Sequence, residues 1–69
     1  MSAVDALYRV MVPVANNLVE RRRRMGEPLE LAAIVEATLQ EFARSIVIGP
    51  HVPALRERLL AHLAAIGSE

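Results

Sequence analysis

The sequence predicts an all-α protein: a small three-helix bundle of two long amphipathic helices and a shorter third, completed by oligomerisation. Three observations carry this expectation. Apolar residues recur at spacings of three and four through three segments, Gly- and Pro-containing breaks separate the segments, and no stretch alternates as a half-buried strand does. The chain reads as a single helical domain, 1–69, with helices expected over about 3–25, 28–47 and 53–66.

The first helix opens at "SAVD", where Ser2 is placed to cap the backbone at Asp5 and Asp5 puts negative charge in the first turn. Val4, Leu7, Met11, Val14, Leu18 and Met25 fall on one face, with Arg21 the single polar entry in that stripe. Tyr8, Val12, Ala15 and Val19 form a second stripe beside it. With Val10 the two stripes span an arc of roughly 200° at 100° per residue, and Asp5, Arg9, Asn16 and Glu20 hold the polar remainder. One neighbouring helix cannot cover such an arc. Pro13 removes a backbone donor inside this segment and projects to the polar side, which predicts one kinked helix rather than two short ones. Gly26 suits a left-handed helix end, and Pro28 suits the first position of the next helix.

In the second helix Ala32, Val35, Leu39, Phe42 and Ile46 repeat as a heptad, flanked by Leu31, Ile34 and Thr38, with Glu30, Glu36, Gln40, Glu41 and Arg44 opposite. "IGPHVP" then breaks the chain, and Pro53 starts the third helix, on which Val52, Leu55, Leu59, Leu63 and Ile66 share a face while Leu60 lies apart.

Size turns this pattern into an expectation about assembly. At 69 residues, apolar burial only roughly offsets an ordering entropy of about 1.5 kcal/mol per residue. The chain has no cysteine to brace it, yet 54% of its residues are hydrophobic and its mean hydropathy is +0.31. Self-association or a partner protein is the remaining brace. A homo-oligomer is expected, a dimer first, with Val4, Leu7, Met11, Val14 and Leu18 of the first helix and Val35, Leu39, Phe42 and Ile46 of the second forming the oligomer interface.

Charge narrows the partners. Eight basic residues balance eight acidic ones, so no global field draws the chain to nucleic acid or an anionic bilayer. The local exception is "ERRRR", in which Arg21, Arg22, Arg23 and Arg24 complement the negative pole of a helix end and offer a possible anion or nucleic-acid contact. Consecutive helical residues point in different directions, so the four do not form one groove-facing side. A helix-turn-helix is a poor match: the turn "VIGPHVP" is long, and "ALRERLLAHLAA" lacks Asn, Gln, Ser and Thr. No apolar run approaches the ~20 residues that span a bilayer, the start lacks a signal-peptide pattern, and the first helix has a weakly basic polar face, so a cytoplasmic protein is expected.

Chemistry finds little support. His51 and His62 have no helical chelate partner at four-residue spacing, so no metal or cofactor is expected, and each imidazole should bond a backbone carbonyl or water. Ser2 reads as a cap, Ser45 borders a packed face and Ser68 is terminal, which leaves no activated nucleophile. The expected function is therefore non-enzymatic: a small oligomerisation, adaptor or regulatory protein that acts through protein contacts. The alternative is a nucleic-acid-binding regulator that holds phosphates with Arg21–Arg24.

Overall fold

The computed structural model describes residues 2–45 and 47–67, and among these it contains three α-helices and no strand. Helix α1 runs Ala3–Arg24, α2 Leu31–Ala43 and α3 Val52–Gly67, with a 3₁₀ turn at Gly49–His51 leading into α3. Each helix packs on both others.

α1 starts at its expected cap. Ser2 is extended (φ −84°, ψ 160°), and its Oγ accepts the Asp5 N–H at 3.2 Å, satisfying a donor that the first turn leaves without a partner. At 1.5 Å rise per residue, 22 residues make a rod of about 33 Å, so α1 alone accounts for the molecule's 34 Å longest dimension. Pro13 does not break it. The helix passes through unbroken with Arg9 and Pro13 both exposed, so the Arg9 carbonyl that loses its helical donor faces solvent.

The end of α1 is a Schellman motif. Gly26 takes the left-handed conformation (φ 70°), the Glu27 N–H donates to the Arg22 carbonyl at 2.9 Å, and the Gly26 N–H donates to Arg23 at 3.2 Å. The last carbonyls of the helix are thus capped by backbone and do not need the arginine side chains.

The second helix departs from the expected 28–47. Pro28 biases Glu27 away from helical geometry, and Glu30 is itself extended (φ −91°, ψ 100°), so α2 begins at Leu31. It stops at Ala43, where the Ser45 N–H turns back onto the Phe42 carbonyl at 3.1 Å. The early stop lets the connection bury Ile48, which a helix continued through 47 would not deliver to the same place. Consequently α2, at 13 residues, is the shortest helix, and α3, at 16, is longer than the expected 53–66.

The core is aliphatic. Met11, Ala15 and Val19 of α1 meet Ile34, Val35 and Leu39 of α2 and Leu55, Leu59 and Leu63 of α3, and Ile48 closes one end. The third-helix stripe faces inward along its length, with Val52 and Ile66 half-buried at its ends and Leu60 exposed. On α1 the buried line lies between the two expected stripes, which leaves Val10 half-exposed and Val14 at the boundary. Thr38 is the one buried polar side chain among the described residues, and its hydroxyl donates to the Ile34 carbonyl at 2.9 Å.

Polar pairs fix the rotation of α3 on its neighbours. Arg58 bonds Asp5, and its guanidinium carbon stands 4.3 Å from the Tyr8 ring centroid. Arg56 Nε donates to Glu36 Oε1 at 2.5 Å. These hydrogen bonds hold both carboxyls below the usual carboxylate range, with Arg58 the main cause at Asp5 and Arg56 at Glu36. His62 meets a side-chain amide oxygen in place of the backbone carbonyl expected: its Nε2 lies 3.0 Å from Asn16 Oδ1, and its ring stands edge-on to Tyr8.

Candidate functional site

The residues expected to form an oligomer contact divide into two groups. Met11, Val35 and Leu39 lie in the chain's own core, at 0%, 1% and 3% exposure, and present no surface to a second chain. Val4, Leu7, Val14, Leu18 and Phe42 are half-buried, while Ile46 lies outside the described residues.

Two of the half-buried residues define an opening. Val14 and Leu18 of α1 and Ala37 of α2 floor a half-open groove of about 400 Å³, with Asn17 on its α1 wall, Arg21 on α1 and Glu41 on α2. The groove exists because α1 turns Ala15 and Val19 to the core, so the residues one step round the helix, Val14 and Leu18, have only the small Ala37 opposite them. Above it on α1 is Val10, at 51% exposure, one helical turn before Val14. The apolar excess of the first helix is therefore concentrated on the side facing α2.

Arg21–Arg24 occupy the last turn of α1, with Arg21, Arg23 and Arg24 exposed and Arg22 half-buried. Among the described residues, none of the four guanidinium groups makes an ion pair, although Glu20, Glu27 and Glu41 lie near in sequence or space. The helical rotation of about 100° per residue separates them. Arg21 borders the α1–α2 groove, whereas Arg23 borders a smaller recess of about 250 Å³ between α1 and α3, beside Asn16, Glu20 and His62. The cluster is thus shared between two clefts rather than gathered on one face.

Other sequence candidates do not converge. His51 sits in the 3₁₀ turn, far in sequence from the His62–Asn16 pair, and Ser45 is exposed beyond the end of α2. Among the described residues no group of three or more His, Asp and Glu side chains is placed to hold a metal, and no helix is long and apolar enough to cross a membrane. Sequence reasoning found Arg21, Val14 and Leu18 but missed Ala37 and Glu41, whose role depends on α2 returning beside α1. The positions of Ala37 and Glu41 four residues apart on one helical face were the available signal.

No protein-family model matches the chain, and the comparisons with curated proteins and with solved structures likewise return no match.

Proposed function

We propose that the chain is a non-enzymatic contact module, an oligomerisation, adaptor or regulatory protein that binds protein through the α1–α2 groove. The observation that supports this reading is the groove's make-up: Val14, Leu18 and Ala37 form an apolar floor left open in the folded chain, bounded by Arg21 and Glu41. Interfaces of this kind combine a desolvated apolar centre with a polar rim that sets orientation.

The test is site-specific photo-cross-linking in the native host, with the reactive group at Val14 and a control at Ala54, which is exposed on α3. A protein adduct formed from position 14 and not from 54 supports the reading. Adducts of equal yield at both positions, or none at either, overturn it.

A second reading draws on a different observation, the lack of ion-pair partners for Arg21–Arg24 among the described residues. In that reading the protein is a nucleic-acid-binding regulator whose arginines neutralise phosphates. Each arginine removed from a phosphate contact then lowers the slope of log affinity against log salt by about one. The placement of Arg21 and Arg23 at separate clefts makes this the weaker of the two.

A further inference from the structure

We infer that the occupant of the α1–α2 groove is the same groove of a second copy of this chain, packed about a twofold axis so that Arg21 of each copy meets Glu41 of the other. The inference rests on the contact-module reading and adds the identity of the partner and its orientation.

The order of residues along the groove separates its two charges. The six residues 25–30 join α1 to α2, and a connection this short returns the second helix antiparallel to the first. Counting back at equal rise from the turn, Leu31 stands beside the end of α1, Ala37 beside Leu18, and Glu41 beside Val14. The groove lining fits this register, since Val14, Leu18 and Arg21 share it with Ala37 and Glu41. Arg21 therefore marks one end, Glu41 the other, and the apolar floor lies between them. Seven residues separate Val14 from Arg21, so the two charges stand about 10 Å apart along the helix axis.

A surface that is positive at one end, apolar in the middle and negative at the other is complementary to itself when turned end for end. A twofold axis through the level of Leu18 performs that turn, and an isologous contact repeats each pairing twice. Arg21 and Glu41 are both exposed, and neither has an ion-pair partner among the described residues. Val10 extends the apolar strip beyond the groove along the same side of α1, giving the second copy further surface to cover. The parallel arrangement is disfavoured by charge, because it sets Arg21 against Arg21 and Glu41 against Glu41.

The test uses the purified full chain in sedimentation equilibrium, with helicity followed by circular dichroism. The wild type is expected at the mass of two chains. Arg21→Glu and Glu41→Arg, both at exposed positions, are each expected to keep the helicity and to weaken association roughly tenfold or more, since each creates two like-charge contacts per dimer. Mixing the two variants in equal amounts is expected to restore the two-chain mass. In that heterodimer one copy carries two acidic groups and the other two basic groups, so both crossings become opposite-charge pairs. An attraction between Arg21 and Glu41 of one chain gives no such rescue.

A mixture that stays dissociated while the wild type is dimeric overturns the crossing of Arg21 with Glu41. A wild type at single-chain mass over the whole accessible concentration range overturns the second copy as the occupant. In that event the cross-link from position 14 to a different protein still decides the contact-module reading separately.

Discussion

Arg58 holds Asp5 from across the α1–α3 interface while its guanidinium lies over the ring of Tyr8, 4.3 Å from carbon to centroid. One side chain on the third helix thus grips both the first turn of α1 and the turn that follows it. A guanidinium that solvent reaches, set over a half-buried ring, contributes on the order of 0.5–1 kcal/mol, and the aliphatic stem adds packing. Arg58→Ala is accordingly expected to lower the thermal midpoint by more than Arg56→Ala, which removes an ion pair with no ring beneath it. Equal melting curves for the two variants refute the ring contact.

Acid should loosen the seating of α3 on both of its neighbours. Asp5 and Glu36 bind protons more weakly in the folded chain than in the unfolded one, because Arg58 and Arg56 favour their ionised forms. Their stabilising effect is complete above the ordinary carboxylate range and fades as pH falls below about 4, where the unfolded chain takes up protons first. Both sites are exposed and the effect is screened by salt. Denaturant midpoints measured from pH 7 down to pH 2 should therefore fall less steeply for Asp5→Asn/Glu36→Gln than for the wild type, and parallel profiles contradict this.

The core residues give larger effects and a ranking. Leu59 is fully buried, so Leu59→Ala is expected to cost about 2–5 kcal/mol in urea unfolding. Leu39→Asp buries a charge with no partner and is expected to abolish the cooperative transition. Thr38→Val removes a hydroxyl bonded to the Ile34 carbonyl in its own helix, so its effect should stay within about 1 kcal/mol. A loss at Thr38 as large as at Leu59 means the hydroxyl has a role beyond local satisfaction.

Two glycines separate backbone conformation from space. An added Cβ meets nothing within 4 Å at either Gly26 or Gly49, but only Gly26 has positive φ. Gly26→Ala is expected to destabilise by about 1 kcal/mol through the left-handed conformation alone, and Gly49→Ala to be close to neutral. Chemical denaturation of the pair checks this, with equal losses as the contrary result.

Much of this fold is legible in the sequence because helix ends and single apolar stripes are local. The Ser2 cap, the left-handed Gly26 and the inward line Leu55–Leu59–Leu63 all follow from neighbours a few residues away. What is not legible depends on distant partners. The first helix is apolar over so wide an arc that periodicity alone does not choose between Met11–Ala15–Val19 and Val4–Leu7–Val14–Leu18 as the inner line. Pairings such as Asp5 with Arg58 and Asn16 with His62 supply the missing rotation. The length of α2 is set by Ile48, five residues past its end, being needed in the core. Of the candidate site, the arginines and the α1 wall are visible in the sequence, but the α2 wall appears only when the hairpin closes.

The three leucines at the centre of the core, Leu55, Leu59 and Leu63, all belong to the last helix in chain order. During synthesis α1 and α2 precede α3, so their inner faces lack Leu55, Leu59 and Leu63 until α3 follows. The nascent hairpin must wait for α3 to clear the exit tunnel, so premature termination before Leu55 yields an exposed apolar hairpin, a substrate for chaperones and proteases rather than a smaller version of the domain.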